Sequence, residues 1–495
     1  MSKKIAIIGA GPGGLTAGMI LARHGYDVEI FEKEGHVGGR NAPLTLGGYT
    51  FDTGPTFLMM SFILEEIFSL AGRDAAKYME MVRLDPMYRL VFSDMEISPS
   101  SDHRKMEQEL ARVFPGSEEG YRKFLQREKI RFDAMYPCLK VDYSSFRSLF
   151  SANLIKALPH LSLGRSIFEN LGEYFTPEKL KLSFTFQSKY LGMSAWDCPA
   201  AFTIIPYVEH SFGIYHVIGG LNVISQAMGR VFAEHGGKLR LSTPVERILV
   251  ENGTARGVEL AGGERVFADE VIINADFAYA MANLTGTAVP RYSRERLDAM
   301  DYSCSTFMLY LGIDHCYDIP HHNVFFAEKY RENIENIFHK GSLSDDMSFY
   351  VQNASVTDPT LAPAGHSTIY VLVPVPNLSF PIPWEVEKER YAEKVLTALE
   401  SRAGLTGLRS RIKVRKITTP EDWRDSYHVY KGATFNLAHT LGQMLYFRPH
   451  NEFEGLRNCY LVGGGTHPGS GLPTIYESGR ISAHMILAKH AAGKK

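Results

Sequence analysis

Paired cysteines are missing from this chain. Its five cysteines, Cys138, Cys198, Cys304, Cys316 and Cys459, are odd in number, and none forms a C-x-x-C motif. Such spacing builds neither a disulfide framework nor a zinc site, so no metal is expected and the thiols are expected free, in a reducing compartment. A dominant charge is missing too: 53 Lys and Arg face 55 Asp and Glu, a net of −2. No overall basic field exists to attract nucleic acid. Long apolar runs are also scarce. Lys3 and Lys4 before the uncharged stretch Ile5–Ala22 mimic a signal peptide, but Gly9, Gly11, Gly13, Gly14 and Gly18 interrupt it. The uncharged stretches Ser211–Gly229 and Cys459–Tyr476 are equally rich in glycine and polar residues, so no membrane-spanning helix is expected.

What is present starts with ample apolar material. The 495 residues are 45% hydrophobic and 22% charged, enough for two or three packed units. Ile5-Ala6-Ile7-Ile8 is a short apolar run suited to a buried parallel strand. It enters Gly9-Ala10-Gly11-Pro12-Gly13-Gly14, a G-x-G-x-x-G turn. Gly9 permits the tight turn, Gly11 lets the backbone approach a pyrophosphate, and Gly14 lets the next helix pack against the sheet. The pattern predicts that helix over Leu15–His24, stopped by Gly25, with its N-terminal N–H groups facing phosphates. A second strand is predicted at Asp27–Phe31. It ends at Glu32, followed by Lys33, where an acid would bond the adenosine ribose and disfavour a 2′-phosphate. Gly38-Gly39-Arg40 offers a further close backbone approach and a phosphate-binding cation. The turn Phe51-Asp52-Thr53-Gly54-Pro55 is predicted to lie along the cofactor.

A second glycine loop closes the chain. Asn458–Val462 reads as a buried strand entering Gly463-Gly464-Gly465-Thr466-His467-Pro468-Gly469-Ser470-Gly471-Leu472-Pro473, and a helix is predicted from about Thr474 to His490. This places a positive helix end at a ligand, where it can stabilise the electron-rich side of a reduced flavin. A nicotinamide-only enzyme needs no second loop so far along the chain, whereas an FAD lying between the chain ends does. A third segment supports the same fold: strands near Lys238–Leu241 and from Thr243 to Ile248, and Val271–Ala275 ending at a cofactor-facing Asn274. The backbone of Val245 is expected at the adenine.

The stretch Asn458 to Ser478, in the form N-x-Y-L-x-G-G-G-T-H-P-G-S-G-L-x5-S, resembles the signature of bacterial-type phytoene desaturases. Gly47–Thr56 (GGYTFDTGPT), Leu182–Gly192 (LSFTFQSKYLG), Gly213–Leu221 (GIYHVIGGL) and Tyr446–Asn451 (YFRPHN) are similar to the same family. The resemblance implies an FAD-dependent desaturase that removes hydrogen pairs from a linear carotenoid precursor. It implies an apolar polyene taken from a membrane, a quinone or oxygen as electron acceptor, and a cytoplasmic protein peripherally attached to the bilayer. Phytoene, its C30 analogue diapophytoene and already modified carotenes remain open as substrates, as does the oligomeric state. A carotenoid isomerase or a polyene saturase resembles the same family. Thr466, where amine oxidases of similar fold carry Glu, disfavours an amine oxidase. Intact glycine loops disfavour a non-enzymatic prenyl-lipid binding protein.

The expected fold is α/β: a split Rossmann-like FAD-binding domain over residues 1–75, 219–285 and 455–495. A mainly helical region at 76–218, contacting substrate and membrane, and an α+β substrate region at 286–454 are inserted into it. Strand-like runs at Ser305–Gly312 and Thr368–Val373 suit a sheet flooring a cavity. Phe146, Leu149, Phe150, Leu154, Ile155 and Leu158 recur at helical spacing and predict an amphipathic helix, with a bilayer-facing and a core-facing reading both open. Glu209, His210 and His467 are the candidate catalytic residues, with a structural ion pair the favoured reading of Glu209.

Overall fold

The computed structural model describes residues 2–492. Five short strands form one parallel sheet: β1 (Lys4–Ile8), β2 (Asp27–Phe31), β3 (Lys238–Arg240), β4 (Glu270–Ile273) and β5 (Cys459–Leu461), in the order β5-β4-β1-β2-β3. Ile5 and Ile7 point into one core, Ala6 and Ile8 into another, so β1 is buried on both faces as its unbroken apolar sequence requires. Three helices flank it: α1 (Pro12–Arg23), α2 (Asn222–Glu234) and α3 (Leu472–Ala492). α1 begins at Pro12, three residues before the predicted start, because proline at the first helical position has the right φ and loses no hydrogen bond there. α1 packs on both α2 and α3. The contact with α3 is backbone-close: a Cβ on Gly479 would stand 2.5 Å from the Gly13 carbonyl oxygen.

The second sheet has seven strands, in the order Ile412–Thr418, Ser305–Ile313, Ser367–Val375, Phe349–Gln352, His322–Phe325, Arg89–Val91 and Glu96–Ile97. Its neighbours are antiparallel except His322–Phe325 beside Arg89–Val91. Alternation along the strands decides what each face meets. Phe307, Leu309, Leu311, Val371 and Val373 pack under the helix Trp384–Arg402. Met308, Tyr310 and Tyr370 turn the other way, onto Tyr49 and Phe51 of the hairpin Pro43–Asp52. The Tyr310 hydroxyl donates to the Thr53 carbonyl at 2.7 Å and that of Tyr370 to Gly54 at 2.9 Å. The sheet is thereby tied to the turn that leaves the nucleotide fold.

The stretch from Phe146 to Leu158 is not one helix. It is a 3-10 turn (Phe146–Phe150), a short helix (Ala152–Ala157) and another 3-10 turn (Leu158–His160). Ser145 and Ser151 side chains cap new starts by accepting from the N–H of Arg147 and Leu154, and Pro159 ends the run. The broken path buries Leu154 and leaves Phe146, Phe150, Ile155 and Leu158 between 48% and 67% exposed. Among the described residues no helix is long and apolar enough to cross a membrane.

Candidate active site

Both glycine turns lie at the carboxyl edge of the parallel sheet, where crossing helices leave N–H groups free for anions. At the first, Gly9 has φ +96°, and a Cβ there would stand 2.7 Å from the Asn274 carbonyl oxygen. The Asn274 side chain reaches the same turn, donating to Gly9 O at 2.9 Å and Gly11 O at 3.3 Å. Asn274 thus braces the loop as well as bordering it. Gly39 faces Gly11 directly, with only the Gly11 Cα within 4 Å of its absent Cβ. Pro12, Gly13 and Gly14 form the first turn of α1 beside this contact.

Glu32, at the end of β2, is buried and accepts from Ala10 N–H at 2.7 Å and from Glu34 N–H at 3.0 Å, one bond on each oxygen. Each oxygen keeps a lone pair for a ribose hydroxyl. Glu32 is also zipped to the β3 exit: its N–H donates to Arg240 O at 2.9 Å, and Thr243 N–H donates to its carbonyl at 2.7 Å. That link holds the start of the strand Val245–Glu251 near Glu32. Lys33 turns away, bonding Glu34 and the Ser426 carbonyl.

Gly38 and Gly39 lead to Arg40, whose Nη1 donates to Thr434 O at 2.7 Å. With the Asn436 amide turned to satisfy both its ends, that amide accepts from Arg40 Nη2 at 2.9 Å and donates to Asp276 Oδ2 at 2.7 Å. Burial pulls the Arg40 pKa down and pushes that of Asp276 up, and the attraction between the two opposes both shifts. Gly54 packs on the Arg40 carbonyl, and Pro55 continues the chain from there.

The C-terminal loop is held from beneath by the segment Phe435–Asn451. Thr466 Oγ1 donates to Pro449 O at 2.5 Å, Asn451 Nδ2 to His467 O at 3.0 Å, and Ser470 Oγ to Phe435 O at 2.7 Å. Arg448 is the centre of this support. It is 1% exposed and donates to Gly464 O (2.7 Å), Gln443 O (3.0 Å), Thr466 O (3.1 Å) and Leu437 O (3.3 Å). Burial pulls its pKa down to about 9, still cationic at neutral pH. Arg448 falls within the family-like motif Tyr446–Asn451, and a cation between Phe447 and Pro449 is the only sequence signal of its place. Gly471, at φ +116°, ends the loop, and Leu472 opens α3.

The three catalytic candidates do not meet in one cluster. His467 is buried, edge-on to Tyr143 at 4.7 Å, and held neutral by burial and by nearby Arg448, its pKa driven down to about 3. His210 stacks on Phe184 at 4.9 Å, lies 3.1 Å from the Tyr121 hydroxyl, and is also driven to about 3 by burial. Glu209 has no cation beside it among the described residues, so the ion-pair expectation is corrected. Its Oε2 accepts from Gln187 Nε2 at 2.7 Å and the Tyr88 hydroxyl at 2.9 Å, while Oε1 has no hydrogen-bond partner among the described residues. Burial raises its pKa to about 7. Aromatic rings surround it: Tyr88 packs on Phe186 and Phe57, and Phe57 on His322 and Tyr350. Phe57 lies two residues beyond Pro55, so this group of rings begins beside the Gly54–Pro55 turn.

FAD fits these residues. The side-chain-free backbones of Gly11 and Gly39 would let a pyrophosphate approach the N-terminus of α1, Glu32 retains acceptors for a ribose, and α3 points its N-terminus at the second loop. The flavin-containing amine oxidoreductase family matches residues 12–487. Over 490 residues the chain is 55% identical to the 4,4′-diapophytoene desaturase (4,4′-diapolycopene-forming) of a Methylomonas species, covering 99% of this chain and 96% of that one.

The chain belongs to this flavoprotein family, among its carotenoid desaturases. It is therefore an FAD-dependent oxidoreductase acting on CH–CH bonds. It is also 37% identical to the all-trans-zeta-carotene desaturase of Myxococcus xanthus, over 99% of this chain and 94% of that one. Putrescine oxidase shares the fold, with a TM-score of 0.63 at 16% identity over 99% of each chain. The family's breadth explains why the carotenoid desaturase carries Thr466 within an amine-oxidase architecture.

Proposed function

We propose that this carotenoid desaturase acts on a linear C30 polyene, 4,4′-diapophytoene or a partly desaturated form of it. One observation carries the reading: identity is 55% to a diapophytoene desaturase but 37% to a zeta-carotene desaturase over nearly the same length. Bound FAD supplies the two-electron oxidant, held by the glycines, Glu32, Arg40, Asn274 and the Gly464–Leu472 loop. The chain's own chemistry is to hold an apolar chain, exclude water and take up the proton that desaturation releases. Glu209 suits that last task best of the three candidates. It sits among apolar rings, has a free oxygen, and its pKa near 7 allows it both to accept a proton and to lose it again. His210 and His467 are too weakly basic.

The exposed Phe146, Phe150, Ile155, Leu158 and Leu163 support attachment to a membrane that stores the polyene, with a quinone or oxygen taking the electrons. Leu441 and Phe447 are also exposed, and Tyr446 links them to this patch through its ring contact with Phe146 at 5.6 Å.

The test is to offer FAD-loaded protein diapophytoene and phytoene in separate liposomes and follow absorbance and mass. Products lighter by two hydrogens per step, formed at least ~10-fold faster from diapophytoene, are expected. Faster turnover of phytoene would overturn the chain-length assignment, and unchanged mass would point to isomerisation.

A further inference from the structure

Arg448 stands out because a fully buried cation is costly unless something compensates it. Here four neutral carbonyls do so, and among the described residues no carboxylate contributes. Two of those carbonyls, Gly464 O and Thr466 O, belong to the cofactor loop. A trans peptide sets its C=O and N–H on opposite sides. Drawing these two carbonyls onto Arg448 therefore turns the N–H groups of Gly465 and His467 to the other side of the loop. Neither N–H has an acceptor among the described residues. Around the guanidinium, His439 and His467 are both buried and neutral, so neither dilutes nor cancels its charge.

We propose that Arg448 is a positioning residue for the flavin: it aims the loop's free N–H groups at the cofactor and leaves an uncancelled positive charge behind them. Both effects favour the form of the cofactor that carries more negative charge, which is the reduced one. Arg448 does not touch the polyene and takes no part in proton transfer. It makes the flavin a better electron acceptor, which suits a substrate whose C–H bonds are not activated by any neighbouring heteroatom. This rests on the flavin reading of the cleft.

The experiment compares wild type, Arg448→Met and Arg448→Lys by titrating apoprotein with FAD and measuring the midpoint potential of the bound flavin. Arg448→Met is expected to lower that potential by at least about 30 mV, a tenfold loss in preference for the reduced form. Arg448→Lys keeps the charge but cannot fork to both carbonyls. It is expected to bind oxidised FAD at least ~10-fold more weakly, with less than half the potential shift of Arg448→Met. An unchanged potential in folded Arg448→Met, with only a lower melting temperature, would show a purely structural staple and overturn the proposal. If Arg448→Met does not fold, Arg448→Lys decides alone: wild-type FAD affinity would overturn the proposal, and weakened affinity with little potential shift would support it. Failure of the wild type to bind FAD would instead overturn the cofactor assignment itself, before any variant is compared.

Discussion

Single residues carry the chemistry, and two of them give sharp tests. Glu32 uses one lone pair per oxygen within the protein and keeps the others. Removing a charged acceptor costs about 1.5–3 kcal/mol, so Glu32→Ala should weaken FAD binding by roughly 10- to 100-fold in an equilibrium titration. Unchanged affinity would remove Glu32 from the ribose site. Glu209 ionises with difficulty: its pKa rises from 4.5 to about 7 on burial. Between those values the folded state holds a proton that the unfolded state has released, so stability falls as pH rises through this window and levels off above it. Glu209→Gln removes the effect. Its stability relative to wild type should therefore climb by roughly 2–3 kcal/mol from pH 4.5 to 7 in denaturant melts. The same variant should lose about 100-fold or more of desaturation rate if Glu209 takes the proton. A rate within threefold of wild type would reassign that role. These two acids illustrate what residue patterns reveal. Glu32 was legible because it stands at a fixed distance from a glycine turn. The burial of Glu209, and its missing counter-ion, depend on Tyr88 and Gln187, which lie 121 and 22 residues away in sequence.

Elements were legible wherever local chemistry alone decides them. The run Ile5–Ile8, the strand Asp27–Phe31 and both glycine turns form as their sequences predict, because parallel strands need continuous apolar runs and tight turns need glycine. The strand Ser305–Ile313 extends one residue beyond its predicted end. The stretch Phe146–Leu158 misled because apolar spacing matched a helix while Ser145, Ser151 and Pro159 offered competing starts and a stop. The support of the second loop was hidden for a different reason. Its residues, from Phe435 to Asn451, sit in a region whose pattern suggests only substrate binding, and their contacts are to backbone carbonyls, which leave no trace in side-chain spacing. Between elements, the α1–α3 crossing is set by backbone approach at Gly479. Alanine is the better helix former by about 1 kcal/mol, yet its methyl would overlap Gly13 O and Thr16. Gly479→Ala should therefore destabilise the fold by about 1–3 kcal/mol in chemical denaturation and loosen FAD binding with it. A gain in stability would show that the helices can move apart freely.

At the scale of the whole molecule, apolar surface is distributed unevenly. Two sequence-distant stretches, Phe146–Leu163 and Leu441–Phe447, expose large apolar side chains side by side. Such a patch would be costly in water and gains by entering a lipid interface. Phe150→Ser with Phe447→Ser should reduce co-sedimentation with liposomes at least ~10-fold while leaving the melting temperature within a few degrees. A large drop in melting temperature with unchanged liposome binding would assign these residues to the core. Each of the two stretches lies in a different insert of the nucleotide fold, so both inserts would approach a bilayer together.

The five-stranded sheet has a consequence for biosynthesis. β1 and β2 are made first, but their neighbour β4 follows more than two hundred residues later, and β5 and α3 come from the final stretch of chain. During translation the early half of the cofactor site therefore exists without its partner edge, its partner helix and the loop that Arg448 holds. Leu15, Ile20 and Val28, buried in the finished core, lack part of that core during this interval. The cofactor site is completed only once β5 and α3 are made, so a chain truncated shortly before β5 should hold no FAD and be colourless, however well its first four hundred residues were made.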